Sequence, residues 1–493
     1  MNPLSSIVID ATPQFELSPH LYMQFMEPLG VTDGSVEAAW DHQSRDWRPD
    51  VIEITKQLAP GMVRWGGCLS SYYRWEEGVG PREGRRPMHN LLWGGIESNQ
   101  IGTAEFVDFC RRVEADALYC VNFESDGRKP WANPRVGGHR SAGPEEAARW
   151  VSYCNREGDE LRRSHGIEAP LTVPYWQLGN ETSYDRDGMD LETTAQRTIA
   201  FALAMRAVDP SIKLIGWGDD GWAPHVAEVA GEHLDYLAWH HMFHPCPGDS
   251  ILDGTNYRRD PNAAWDALMA APAIHEKKLL KRRAEIEGTG LYMALTECHF
   301  TLPGRDRGDV MASWAVGVSY ARMLNMHQRN GDVLKIATLS DFCGTRWQVN
   351  SVMIPTPEGR SYLLPVGQVM RLYRTHSGKQ AVAVKGFPAD LDVVASRTGN
   401  KLFVQVVNTR RDRAISADIK IDGFSVAGGK VFEIVAEPEV EVLQNQPDVL
   451  QIVEKPFGPN AAHSFAAASV SVIEVNLSQL PISGQTDLQK GAI

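Results

Sequence analysis

The chain has 493 residues, too many for one ordinary core and enough for one large domain with a smaller one beside it. Apolar residues make up 43% and charged residues 23%, the profile of a soluble globular protein. A net charge of -13 repels a phosphate backbone, so no nucleic-acid partner is expected. Met1-Asn2-Pro3-Leu4-Ser5-Ser6 lacks a basic segment followed by an apolar stretch, and no apolar run reaches the length of a membrane span. A cytoplasmic protein without membrane contact is the expectation. Cys68, Cys110, Cys120, Cys154, Cys246, Cys298 and Cys343 follow no framework spacing and are expected as reduced thiols.

From about residue 20 to 375, short apolar runs alternate with segments of helical period. The expected strands are Leu21–Glu27, Met62–Gly67, Ala117–Phe123, Tyr175–Glu181, Lys213–Gly218, Leu234–Phe243, Leu291–His299 and Val333–Ser340. They are near-continuously apolar, which suits a parallel sheet covered on both faces. Between them, Thr103 is positioned to cap one helix, Pro144 to open a second, and Leu191 to Val208 forms a third, stopped by Asp209-Pro210. Eight strands with intervening helices argue for an α/β fold of the (β/α)8 TIM barrel type; a doubly wound open sheet is the alternative.

After about residue 378 the runs are shorter, partly alternating and separated by Gly, Pro, Asn and Asp. Ala381–Val384, Leu391–Ser396, Lys401–Val407, Ala414–Ile421, Val431–Ile434, Val440–Leu443 and Ser469–Val475 read as strands of a C-terminal all-β sandwich. Ser6–Asp10 is placed to join that sandwich as an edge strand. The expected domains are a barrel over 19–377, a β-sandwich over 378–480 joined by the N-terminal strand segment 1–18, and a flexible tail over 481–493.

Two of the apolar runs carry an acid at the end. Glu181 closes the fourth, and Glu297 lies near the end of the seventh. A carboxylate there loses solvation, a cost that suggests a task. Reactive side chains of a parallel barrel sit at the C-terminal ends of its strands, and the fourth and seventh strands face each other across the mouth. Two carboxyls about 5 Å apart suit retaining glycoside hydrolysis, one protonating the leaving oxygen and the other attacking the anomeric carbon. Asn180 is placed to bond a sugar 2-hydroxyl, while Trp176 and Gln177 are expected to pack the barrel. Arg64 and Glu27 lie inside strands, where an ion pair near the nucleophile or ordinary structural pairing fits equally.

These residues carry a family resemblance. Trp176-Gln177-Leu178-Gly179-Asn180-Glu181 resembles the acid/base strand of the clan of barrel glycosidases with catalytic acids on strands 4 and 7. More narrowly, the chain resembles the glycoside hydrolase family 51 α-L-arabinofuranosidases. Tyr22 to Gly30, Val63 to Gly67 with Tyr73 to Pro81, Ile96 to Thr103, Val121-Asn122 and Ala204 to Ser211 are similar to segments of that family. The resemblance implies a barrel with a β-sandwich, Glu181 as acid/base, Glu297 as nucleophile, a carbohydrate substrate, no cofactor and a homo-oligomer. It implies a sugar pocket formed by Glu27, Cys68, Asn122, Asn180, His240, Met242, His299 and Gln348. Cys68 stands where the family usually has Asn, Cys298-His299 where it has Trp-Asn, and Met242 where it has Tyr.

The expected function is therefore a retaining exo-glycosidase that releases terminal α-L-arabinofuranosyl or a related sugar from small oligosaccharides or glycosides. Another furanoside, a β-xyloside or a β-glucoside stays open as substrate, as does a sugar-binding barrel without turnover. His240, His241, His244, Cys246, Cys298 and His299 are metal-ligand types, but their spacing matches no familiar zinc pattern, and no metal is expected. Gly216-Trp217-Gly218-Asp219-Asp220-Gly221 matches a dinucleotide-binding glycine pattern only formally. Its two acids would repel a pyrophosphate, and it reads as a loop.

Overall fold

The computed structural model describes residues 5–123, 140–184, 189–304, 308–458 and 462–479. The expected tail over 481–493 lies outside the described residues. By internal contacts the chain divides into two units. One holds Leu17–Thr375 and Ala436–Gln451; the other holds Met1–Glu16, His376–Val435 and Ile452–Ile493.

The first unit carries the acids. Its strands Gln24–Met26, Met62–Trp65, Asp116–Val121, Tyr175–Leu178, Lys213–Trp217, Tyr236–Phe243, Tyr292–Phe300 and Leu334–Ala337 lie side by side in chain order, each parallel to the next. The run of eight strands curls and nearly closes. Met23 N donates to Ala337 O at 3.0 Å, which ties the eighth strand back to the residue before the first. Past the first strand the sheet continues through Asp341–Gly344 and Asn350–Met353, with Tyr362–Leu363 antiparallel at its margin. Helices Pro49–Leu58, Thr103–Arg112, Pro144–Asn155, Leu191–Val208, Ala223–Ala230, Pro261–Glu285, Trp314–Arg329 and Pro365–Thr375 each follow one of the eight strands. Met23, Met62, Leu118, Ile215, Trp217, Ala238, Ala294 and Ile336 pack as one buried cluster drawn from nearly every strand. Near-continuous apolar runs are what such a sheet requires, since both faces are covered.

Several elements differ from the sequence reading for local reasons. Pro19–Tyr22 is a short 3-10 turn, because Pro19 opens it and the Ser18 hydroxyl caps His20 N at 3.1 Å. Gly102, not Thr103, is the cap of its helix, and the Glu105 carboxylate accepts Gly102 N–H at 2.9 Å. The fourth strand stops at Leu178, so Glu181 lies in the turn beyond it.

The second unit is a nine-stranded sheet among the described residues, ordered Val453–Phe457, Phe424–Val435, Ser469–Gln479, Lys401–Asn408, Leu391–Thr398, Gln380–Gly386, Ser5–Glu16, Ile415–Ile421, Ala462–Phe465. Ile7, Ile9, Val393, Leu402, Val404, Val406, Val431 and Ile473 belong to its core. The N-terminal strand is not at an edge. It pairs antiparallel with Gln380–Gly386 and parallel with Ile415–Ile421, because Ile7 and Ile9 alternate into the core. Val440–Leu443 is not a strand of this sheet. It belongs to the first unit, where Trp314 N donates to Val440 O and Val442 N to Ala312 O, both at 2.8 Å.

Candidate active site

Glu181 and Glu297 come together at the C-terminal ends of the parallel strands, through two local irregularities. The first is the turn Gly179-Asn180-Glu181. Gly179 has φ +77°, and a Cβ there would meet Phe123 Cβ at 2.8 Å, so the position requires glycine. Glu181 itself has φ +52°, a left-handed conformation that costs a non-glycine residue about 1–2 kcal/mol. Tyr184 N–H closes this turn on Glu181 O at 2.9 Å. The second is a register shift between the sixth and seventh strands. Trp239 pairs with Leu295, but His240 pairs with Glu297, so Thr296 is the extra residue. A bulge of this kind re-aims side chains, and here it sets Glu297 level with His240.

His240 stands between the two acids. Its Nδ1 lies 3.1 Å from Glu181 Oε1 and 3.6 Å from Glu297 Oε2, and its Nε2 lies 2.9 Å from Thr296 Oγ1. One atom each from Glu181, His240 and Glu297 falls within 4.8 Å of the others, and all three residues are buried. These are the donors that would hold a metal ion if one bound. They also satisfy the spacing of a retaining carboxyl pair.

Arg64 supplies the cation. It has no exposed surface, and its guanidinium donates to Glu297 Oε1 at 2.9 Å, to Gln177 Oε1 at 2.9 Å and to Asn180 Oδ1 at 2.6 Å. Burial works most strongly against this charge, but Glu297, Cys120 and Glu27 together outweigh it and hold the guanidinium above its usual pKa. Glu27 completes the acidic group. Cys68 N–H and Trp93 Nε1–H both donate to its Oε1, at 2.7 and 3.0 Å. Burial, and next the Glu297 charge, push the Glu27 carboxyl well above its usual pKa. A Cβ on Gly67 would lie 2.5 Å from Glu27 Cδ, so glycine makes room for this acid.

The other expected pocket residues divide. Cys68 reaches Glu181, its Sγ 3.8 Å from Oε2. Asn122 serves a loop instead: it donates to Tyr73 O and Arg140 O and accepts Ala142 N–H. His299 bonds Phe300 O through Nδ1 at 2.9 Å, while its Nε2 lies 3.9 Å from Asp341. Met242 is opposite His299 in register and half-buried. Gln348 lies in the loop before Asn350–Met353, with its Oε1 buried. The histidine and cysteine cluster disperses. His241 turns to His275, His244 to Asp253, and Cys298 is a buried thiol whose pKa burial pushes up. A cavity of about 420 Å³, lined by Leu280, Ile286, Leu291, Tyr292 and Val333, lies at the opposite, N-terminal end of the strands.

Sequence reasoning missed Trp93, Thr296, Trp217 and Asp219. The strand runs and the glycine-rich loop that hold three of them gave no sign of a role, since each acts through a contact between distant segments.

Residues 54–258 match the family model described as the alpha-L-arabinofuranosidase 1 domain. A probable α-L-arabinofuranosidase C from Aspergillus niger is 34% identical over 218 residues, 42% of this chain and 40% of that protein. An intracellular exo-α-(1→5)-L-arabinofuranosidase from Acetivibrio thermocellus is 32% identical over 253 residues, 46% of each chain. The chain thus spans less than half the length of the curated relatives it matches. Among solved structures, the α-L-arabinofuranosidase from Thermotoga maritima in its arabinose complex aligns with TM-score 0.74 and 25% identity over 96% of this chain and 100% of that one.

The chain is similar to α-L-arabinofuranosidases.

A family 51 α-L-arabinofuranosidase from Bifidobacterium longum, 19% identical, shares the fold with TM-score 0.81 over 97% of this chain and 100% of its own. The likeness in fold thus extends beyond the residues that the family model matches.

Proposed function

We propose that this chain is a retaining exo-glycosidase that releases terminal α-L-arabinofuranosyl residues from small oligosaccharides or glycosides. The observation that carries the proposal is the Glu181–His240–Glu297 group, in which one oxygen of each carboxylate lies within 4.8 Å of the other. A retaining pair stands about 5 Å apart, whereas an inverting pair needs room for a water between its members. The names of the relatives and the family-model match support arabinofuranosyl as the sugar.

In this mechanism Glu297 attacks the anomeric carbon while Glu181 gives its proton to the departing glycosidic oxygen. Arg64 pairs with Glu297 and fixes its direction. His240 Nδ1 faces Glu181 Oε1 at 3.1 Å and orients that carboxyl. Glu181, now ionised, then removes a proton from water as that water displaces Glu297 from the sugar. Acid, base and nucleophile all come from side chains, and no cofactor enters. The fold proposed for this chemistry is a (β/α)8 barrel over 19–377 that also takes in Ala436–Gln451, with a β-sandwich from the rest of 378–480 and the N-terminal strand.

Cys68 supports a second reading of the substrate. A thiol is a weak donor, and it faces Glu181 where the family resemblance leads one to expect an amide. Another furanoside, a β-xyloside or a β-glucoside would then be preferred. A cytoplasmic, self-associating protein completes the proposal. Among the described residues, no helix is long and apolar enough to cross a membrane.

A panel of aryl furanosides and pyranosides tests the reading. The purified chain should cleave the α-L-arabinofuranoside fastest, with the first-formed sugar keeping its anomeric configuration by proton NMR. Inversion would remove double displacement, and faster cleavage of a xyloside or glucoside would move the substrate.

A further inference from the structure

The acids of the glycine-rich loop after the fifth strand find a use in the structure. Asp219 is 1% exposed and bonded on both carboxylate oxygens. Its Oδ2 accepts Tyr184 Oη–H at 2.7 Å, Lys278 Nζ at 2.9 Å and His240 N–H at 3.3 Å. Its Oδ1 accepts Arg282 Nη1 at 3.1 Å and Asp220 N–H at 2.8 Å. Burial pushes this carboxyl up, yet the Lys278 charge and the bonds from Tyr184 and Lys278 hold it below the usual range. Asp219 is therefore an ionised anchor, not a proton donor.

Its partners lead to both sides of the Glu181–His240 contact. On one side, Tyr184 joins Asp219 through its hydroxyl and Glu181 O through its N–H. On the other, Asp219 takes His240 N–H, while Lys278, paired to Asp219, donates to His240 O at 2.6 Å. The backbone of His240 is thus gripped at both its N–H and its C=O. Trp217 fills the space inside this ring of bonds. It meets the His240 and Tyr184 rings edge-on at 4.7 and 5.7 Å, and its Nε1 donates to Ser183 Oγ at 2.8 Å. The circuit closes where His240 Nδ1 meets Glu181 Oε1. A left-handed Glu181 persists only if its surroundings over-determine it, and this circuit supplies that constraint.

We infer that Asp219 is a positioning residue for proton transfer by Glu181, acting through Tyr184 and His240. The inference rests on the acid/base reading of Glu181. Asp219→Asn keeps the size of the side chain and removes the charge that holds Lys278 and Arg282. In the 493-residue chain it should lower kcat/KM by about 10- to 100-fold for a methyl arabinofuranoside, which needs an acid, and by less than about 3-fold for a dinitrophenyl one, which does not. Tyr184→Phe cuts one arm only and should lose about 3- to 10-fold with the same selectivity. Without substrate, the imidazole nitrogen shifts of His240, assigned through His240→Gln, should move in Asp219→Asn.

A purely structural role would lower both leaving groups alike, and that result overturns the inference. So does wild-type activity in both variants, or an unmoved His240 signal. A wild-type chain inert toward every glycoside, with the His240 signal still moved by Asp219→Asn, would sink the glycosidase reading and leave the clamp standing.

Discussion

Arg64 Nη1 lies 2.9 Å from Glu297 Oε1, a charge pair in which the guanidinium has no contact with solvent. The same guanidinium holds Gln177 and Asn180, so it ties the second, fourth and seventh parallel strands together at the site. Arg64→Met leaves Glu297 buried without its cation. The expected loss is about 3–5 kcal/mol of stability and more than about 100-fold in kcat/KM. Arg64→Lys should rescue little, because one ammonium cannot reproduce a planar fork with three partners. Urea unfolding and steady-state kinetics read both effects, and a fully active lysine variant would contradict the assignment.

Glu27 gives a pH signature. Its pKa lies above the ordinary 4.5, through burial and then the nearby Glu297 charge. Above pH 4.5 the folded chain holds a proton here that the unfolded chain has lost. Stability therefore falls as pH rises from 4.5 toward the folded pKa, and stays lowered beyond it. Glu27→Gln has no such loss and still accepts from Cys68 N and Trp93. Its unfolding temperature should gain on the wild type between pH 5 and pH 8 (about the range in which most enzymes are assayed). A difference that stays constant with pH would rule this out.

His241, His275 and His327 form a buried file of imidazoles, with ring nitrogens 2.8 and 2.9 Å apart. Burial lowers His241 and His327 from 6.5 to about 3, and lowers His275 well below 6.5 by burial first and then its two neighbours. Here the sign is opposite. The unfolded chain takes up protons below 6.5 that the folded chain refuses, so stability is full above 6.5 and falls as pH drops toward 3. Each histidine contributes a slope of about 1.4 kcal/mol per pH unit. His327→Phe should flatten the wild-type slope between pH 6 and pH 4 by about one proton, as measured by denaturant midpoints. An unchanged slope would mean that His327 is protonated in the fold.

Much of this architecture was legible because it rests on composition and local pattern. Eight apolar runs with helices between them read directly as parallel strands, and acids at the ends of two runs singled out Glu181 and Glu297. Contacts between distant segments were not legible. Gln177 read as core packing because nothing local shows Arg64 reaching it. Asn122 read as a sugar ligand, yet it spends its amide on Tyr73 and Arg140. Asp219 read as a loop acid, since its partners Tyr184, Lys278 and Arg282 come from segments before and after it. The bulge that brings His240 opposite Glu297 depends on inter-strand register, which a single strand's pattern does not encode.

The central claim is that Glu297 attacks the sugar. Its most direct test is to incubate the protein with a fluorinated arabinofuranosyl fluoride, digest it, and locate the label by mass spectrometry. One sugar per chain is expected, on the peptide that carries Glu297, with matching loss of activity. A label on Glu181, or full inactivation with Glu297 unlabelled, would contradict it.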